Sequence, residues 1–349
     1  MRRAVEELIL FIQKKDLKKS KKIIDDMVIR HSDGKNKMKY GMPYKGSKNK
    51  LAGQIFELFP RKKNFYDLFC GGCAMTHYGL LHGGFENYYM NDINPACPEL
   101  FMDAVHGKFK DEKRWISRED FFRLKDSEPY VAFCWSFGNT LREYMYGKEI
   151  EPYKKALHYA IFFDDYSLIK NFFQNDFSFL KKIKNPSEKR LVLQRFMLNK
   201  KIGYNTPLES SVKDSCLLQS GARLDNLNLL SELNKFEDKL EITVGSYDQV
   251  EILPDSVIYC DIPYEGTDGY LTEFDFEKFY SWCEKQTEPL FISSYKMPAD
   301  RFVCVVMFKH RCTLSATENV EVTEKVFIPK HQEKEYHLPG SLFNFDEMM

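Results

Sequence analysis

The run Tyr259-Cys260-Asp261-Ile262-Pro263-Tyr264 ends an apolar stretch with a carboxylate, a backbone carbonyl, a proline and an aromatic ring. These groups in this order suit the handling of a planar amine. The Asp261 carboxylate can accept a hydrogen bond from an exocyclic amino group, and the Ile262 carbonyl can accept its second hydrogen. Pro263 stiffens the turn and removes a competing N–H. Tyr264 offers a flat face on which an extruded base can stack. Taken alone, the same residues also fit a strand end running into a proline turn with a core tyrosine, so their weight depends on what accompanies them.

A second cluster accompanies them. Asp67-Leu68-Phe69-Cys70-Gly71-Gly72-Cys73 stands where an apolar run meets a helical pattern. Glycines there let a ligand approach the backbone, and the helix N-terminus presents free amides and the positive end of its dipole. Asp92 follows Gly72 by twenty residues, the offset at which a carboxylate closing the next strand reaches ribose hydroxyls. Together they point to an adenosine-bearing cofactor. Cys70 and Cys73 also form a C-x-x-C pair, but no second such pair and no close histidine pair completes four metal ligands. No metal is expected. His77, His82, His106 and His158 are isolated and read as surface or core-edge residues.

The elements that must hold these groups are legible as rhythm. Leu51, Ile55, Leu58 and Phe59 have helical spacing up to Pro60. Strands are expected at 65–69 and 87–92, with a glycine turn and a helix between them, which makes a βαβ unit of a parallel nucleotide-binding sheet. Further strands are expected at 241–244, 257–260, 290–293, 302–307 and 324–328. Residues 105–238 break that rhythm and read as mainly helical. Within them, Lys181, Lys182, Lys184, Lys189, Arg190, Arg195, Lys200 and Lys201 face only Glu188. In a chain whose 51 basic and 51 acidic residues cancel, that local excess marks a candidate phosphate-tracking surface. The expected organisation is therefore an N-terminal helical extension over 1–40, a catalytic α/β domain from 41–104 and 239–349, and a helical insertion over 105–238. The lysine run Lys14–Lys22 in the extension reads as a solvated helix face, with a phosphate-contacting arm as the alternative.

Composition bounds the remaining classes. Hydrophobic residues at 43% and charged residues at 29% exclude wholesale disorder, and zero net charge excludes a polycation. The longest early apolar run, Leu8–Ile12, falls far short of the roughly 20 residues of a membrane span. Nine cysteines at irregular spacing suit reduced thiols, so a cytoplasmic protein without a signal peptide is expected.

Taken in order along the chain, these motifs resemble the Dam-like (D12 class, α group) DNA adenine-N6 methyltransferases. Tyr44-Lys45-Gly46-Ser47-Lys48 resembles that group's N-terminal aromatic-x-G-G-K element. Asp67–Cys73 resembles its cofactor glycine loop, Asn91-Asp92-Ile93-Asn94 its ribose-binding A-D-I-N, and Asp261-Ile262-Pro263-Tyr264 its catalytic D-P-P-Y. The resemblance implies a Rossmann-like S-adenosylmethionine-dependent methyltransferase sheet with a target-recognition domain inserted before the catalytic motif. It implies a cofactor site of Tyr44, Lys48, Asp67, Phe69, Gly71, Gly72, Asp92, Asp248 and Asp261, with Lys48 facing the cofactor's carboxylate and Asp248 near its adenine. It implies catalysis by Asp261, Ile262, Pro263 and Tyr264 on an adenine flipped from double-stranded DNA, by a protein expected to be a monomer or a transient dimer. The chain departs from the pattern at Ile262, Ser47 and Cys73, which replace a proline and two glycines. Two alternatives stand beside this reading: a methyltransferase acting on another planar amine (cytosine N4, RNA adenine or a glutamine amide), and a non-catalytic DNA-binding protein on the same scaffold.

Overall fold

A computed structural model of the protein describes residues 39–263, 274–312 and 320–334. The expected helical extension over 1–40 lies outside them except for its last two residues, and so does Tyr264.

The strands are β1 (Asn64–Asp67), β2 (Asn87–Asp92), β3 (Leu240–Val244), β4 (Ser256–Asp261), β5 (Leu290–Ser294), β6 (Phe302–Cys312) and β7 (Val320–Pro329). They form one seven-stranded sheet in the order β3-β2-β1-β4-β5-β7-β6. The first five run parallel, and β7 is antiparallel to both β5 and β6. This is the mixed, mainly parallel α/β sheet of Rossmann-like kind that the sequence rhythm implies, with β6 and β7 longer than their apolar cores suggest.

The helices in chain order are α1 (Ala52–Phe56), α2 (Ala74–His82), α3 (Ala96–Val105), α4 (Arg118–Leu124), α5 (Pro129–Trp135), α6 (Glu151–Phe162), α7 (Ser167–Lys170), α8 (Pro186–Lys200), α9 (Glu209–Lys213), α10 (Gln219–Leu229) and α11 (Phe276–Cys283). The chain divides into two compact units. One contains the sheet, from 40–107 and from residue 230 onwards; the other takes in 108–229.

In the sheet unit, parallel strands covered on both faces carry continuous apolar runs, and β1, β4 and β5 are buried almost throughout. Period-two alternation divides their side chains between the faces. Tyr66, Ile258, Cys260 and Ile292 join Phe279 and Cys283 of α11 in one layer. Phe65, Tyr259 and Phe291 face the other way, where Phe56 and Phe59 meet them at ring separations of about 5–6 Å. Asp67 and Asp261, two residues beyond Phe65 and Tyr259, share this second face.

Residues 108–229 form helices and turns and no strand. Their core holds Trp115, Trp135, Tyr146 and His158, with Trp115 stacked on Tyr146. Lys154 is buried there and donates to Ser211 Oγ and to the carbonyls of Cys216 and Leu217. Burial lowers its pKa to about 8.

Candidate active site

Asp67, Asp92 and Asp261 are the last residues of β1, β2 and β4. Because these strands are parallel neighbours, the three carboxylates line one edge of the sheet. The edge includes the point where strand order reverses between β1 and β4, the place where open α/β sheets bind ligands.

Lys48 reaches this edge from a single 3₁₀ turn, Lys48–Lys50, ahead of α1. Its ammonium is 5% exposed and lies 2.7 Å from Asp261 Oδ1 and 2.8 Å from Oδ2, and it also donates to the Gly46 carbonyl at 3.2 Å. A second carboxylate, Glu324 Oε1, stands 3.7 Å away. Burial opposes the charge on Lys48, but Asp261 and Glu324 outweigh it and raise its pKa above the ordinary lysine value. Lys48 is thus seated on the catalytic candidate rather than standing apart from it.

The glycine loop between β1 and α2 is built around Asp92 and Tyr44. Asp92 accepts the Gly71 N–H at 2.8 Å and the Asn94 N–H at 2.9 Å, one on each carboxylate oxygen. Burial raises its pKa, and these backbone donors pull it partly back. Gly71 has a φ of +46°, and a Cβ there would lie 2.8 Å from the Tyr44 ring. One at Gly72 would lie 2.7 Å from Tyr44 Cβ and 2.8 Å from the Met42 carbonyl. The segment from Gly41 to Tyr44 therefore lies directly on the loop, and Met42 N–H donates to the Gly72 carbonyl at 2.6 Å. The Tyr44 hydroxyl shares a hydrogen bond with the Cys97 thiol, and burial raises its pKa, with Cys97 and Asp92 adding to the shift. Cys73 takes a left-handed φ of 56° at the N-terminus of α2, so this non-glycine residue adopts glycine's conformation.

Asp67 is fully buried and accepts from Thr76 Oγ1 at 2.8 Å. Burial pushes its carboxyl up to about 7, and the charges of Asp261 and Asp92 act in the same direction. Phe69 stacks on Tyr247 at 5.4 Å, with Phe274 and Phe279 set edge-on around it. Two buried hydroxyls here, Ser47 Oγ and Tyr247 Oη, have no hydrogen-bond partner among the described residues. Burial raises the pKa of the Cys70 and Cys73 thiols, away from reactive thiolate. No group of three His, Cys, Asp or Glu side chains converges on a metal position among the described residues.

Residues 44–288 match the model of the D12 class N6 adenine-specific DNA methyltransferases. The chain belongs to this family. It is also similar to Modification methylase StsI of Streptococcus sanguinis, at 33% identity over 99 residues, a stretch that spans 28% of this chain and 14% of that protein.

The family match starts at Tyr44 and takes in every residue expected at the cofactor and catalytic sites. The structure brings Tyr44, Gly71, Gly72 and Asp92 together, and joins Lys48 to Asp261. Asp248 binds Lys278 Nζ at 2.7 Å and the Ser246 hydroxyl, and these contacts hold its carboxyl below the usual range. Ile262 is buried and Pro263 partly exposed at the end of β4.

The basic stretch is less uniform than its sequence. Asn185 caps α8 by accepting from the backbone of Ser187 and Glu188, and the buried stripe of that helix includes Lys189. Lys189 is 2% exposed and ion-paired with Asp164 at 2.7 Å, so it is withdrawn from any phosphate-facing surface. Arg190 is engaged by Asp225, and Arg195 is partly buried, which lowers its pKa. Lys181, Lys182, Lys184, Lys200 and Lys201 remain exposed.

Sequence reading missed Glu324 and His77. His77 is 2% exposed, and its Nδ1 accepts the Gly41 N–H at 2.9 Å, tying down the segment that covers the glycine loop. The only sequence signal for His77 was its place one turn into a helix behind a glycine loop. Glu324 carried none, being one charge in a strand of alternating polarity.

Proposed function

We propose that this protein transfers a methyl group from S-adenosylmethionine to N6 of adenine in double-stranded DNA, acting on a base flipped out of the helix. The observation that carries this reading is the position of Asp261. In a chain of the D12 class, it stands at the strand-order reversal beside the glycine loop, followed at once by the Ile262 carbonyl.

The residues present fit the cofactor. The orphaned hydroxyls Ser47 Oγ and Tyr247 Oη, the Phe69–Tyr247 ring pair and the loop seated on Asp92 supply polar and aromatic partners for a ligand with an amino-acid end, a ribose and a purine. Tyr44, Lys48, Asp67, Phe69, Gly71, Gly72, Asp92, Asp248 and Asp261 would hold it. When bound, it supplies a methyl group on a sulfonium, already activated for transfer.

The chain then has to position the acceptor. Asp261 accepts one N6 hydrogen and the Ile262 carbonyl the other, which fixes the direction of the nitrogen lone pair. Pro263 holds this turn rigid, and Tyr264 stacks on the extruded base, offsetting part of the few kcal/mol that unstacking costs. The 105–238 insertion serves as the target-recognition domain. Its exposed lysines Lys181, Lys182, Lys184, Lys200 and Lys201 track phosphates, which position the duplex without specifying sequence.

Calorimetric titration with S-adenosylmethionine, followed by methyl-transfer assays on matched duplex, single-stranded and RNA substrates, tests this reading. Cofactor binding with turnover greatest on the duplex supports it. Turnover confined to RNA, or no cofactor binding, overturns it.

A further inference from the structure

Glu324 lies beyond the 44–288 span of the family match, and no part of the mechanism above uses it. It is nevertheless 3% exposed and points into the catalytic edge. The sheet topology explains how it arrives there. Because β7 runs antiparallel to β5, its early residues return to the carboxyl ends of the parallel strands. The pairing places Asp261 opposite Ser293, and Ser293 opposite Val326. Asp261 and Val326 thus occupy one row on one face, and Glu324, two residues before Val326, shares that face. Lys48 sits between the two carboxylates, 2.7 Å from Asp261 and 3.7 Å from Glu324.

This arrangement resolves a conflict in the site. The ammonium engages both Asp261 oxygens, one of which would accept a hydrogen of the target amino group. If Lys48 simply left Asp261, a buried cation would lose its nearest carboxylate, a costly step. We infer that Glu324 is a positioning residue that offers Lys48 a second seat, so that the ammonium shifts from Asp261 toward Glu324 when the amino group of the flipped adenine takes up Asp261. This rests on the methyl-transfer reading above. No bond is made or broken in the exchange; one hydrogen-bonded ion pair replaces another, and Lys48 stays protonated throughout.

The test compares wild type with Glu324→Gln and Glu324→Asp in steady-state methyl transfer across pH. The variants are paired with calorimetry for S-adenosylmethionine and with a titration of the Lys48 side chain by NMR on ¹³C-labelled lysine. Glu324→Gln keeps the shape and removes the charge. It is expected to lower kcat about 10- to 100-fold while KM for the cofactor moves less than about threefold, because the lost function is an exchange rather than cofactor binding. With one flanking carboxylate gone and burial unchanged, the Lys48 pKa falls, and the alkaline limb of kcat moves down by about one pH unit with it. Glu324→Asp restores most of both. A purely structural role would lower stability without moving that limb.

Wild-type transfer together with unchanged kcat and pH profile in Glu324→Gln would overturn the role of Glu324 alone. Absence of transfer by the wild type would overturn the functional reading and the exchange with it. Should Glu324→Gln fail to fold, the wild type decides by itself. A ¹³C-lysine signal of Lys48 that shifts when duplex is added to the cofactor-loaded protein supports the exchange, and a signal unmoved by duplex overturns it.

Discussion

The Lys48 ammonium holds both oxygens of the Asp261 carboxylate, at 2.7 and 2.8 Å, although 213 residues separate them in the chain. This contact ties the turn before α1 to the end of β4, so the first and last motifs of the family pattern are physically one site. Lys48→Met leaves Asp261 and Glu324 facing each other without their cation. It is expected to destabilise the fold by about 3–5 kcal/mol and to abolish methyl transfer. Chemical denaturation measures the first effect, and an unchanged unfolding midpoint would contradict it.

Asp261→Asn keeps the shape but turns one acceptor oxygen into a donor. Turnover should fall at least about 100-fold, as when a transition-state contact is removed. DNA affinity by fluorescence anisotropy should stay within about threefold, because phosphate contacts lie on other residues. Equal loss of both would mean that the variant had unfolded or that the site lies elsewhere.

Asp92→Ala removes the acceptor for two loop amides, Gly71 N–H and Asn94 N–H. Two lost hydrogen bonds to a charged group should cost about 3 kcal/mol or more of loop order. The expected outcome is at least a 100-fold weaker calorimetric affinity for S-adenosylmethionine with far-ultraviolet dichroism unchanged. Retained affinity would place the cofactor away from this loop.

Two buried groups give opposite pH dependences. Burial raises the Asp67 carboxyl from 3.8 to about 7 in the fold, so its contribution is full at low pH and is lost as pH rises through about 7. Burial lowers His77 from 6.5 to about 4, and this contribution is present above 6.5 and lost as pH falls toward about 4, when a protonated Nδ1 would meet the Gly41 donor. Thermal unfolding of Asp67→Asn should therefore decline less than wild type as pH rises from about 4 to about 7. Parallel curves would show that Asp67 titrates normally.

The lysines of the insertion separate into two behaviours. Lys184→Ala and Lys200→Ala, both at exposed positions, should each reduce the salt slope of duplex binding by about 1. Lys189→Ala should leave that slope intact and lower stability instead, because its ammonium is buried against Asp164. A salt slope that responds to Lys189 and ignores the exposed pair would reverse this assignment.

Much of the framework was legible in the residues because it rests on local rules. The apolar runs over 87–92 and 257–260 match β2 and the buried stretch of β4, and the glycine loop with Asp92 twenty residues on is a short-range device. The partners of Lys48 were not legible. Its contact with Asp261 spans most of the chain, and Glu324 joins only because β7 folds back antiparallel, a register that no local pattern encodes. The burial of Lys189 was not legible for a related reason. A lysine on a helix reads as solvent-facing until a carboxylate from another segment, here Asp164, receives it. The ion pair of Asp248 with Lys278 also depends on a segment remote in sequence, α11.

Methyl transfer to adenine N6 is tested most directly by incubating the protein with S-adenosylmethionine carrying a deuterated methyl group and with unmethylated duplex DNA. The DNA is then digested to nucleosides for mass spectrometry, with Asp261→Asn run in parallel. Label is expected in N6-methyladenine from the wild type, with almost none from the variant. Label in N4-methylcytosine, or equal N6 labelling by both proteins, would contradict it.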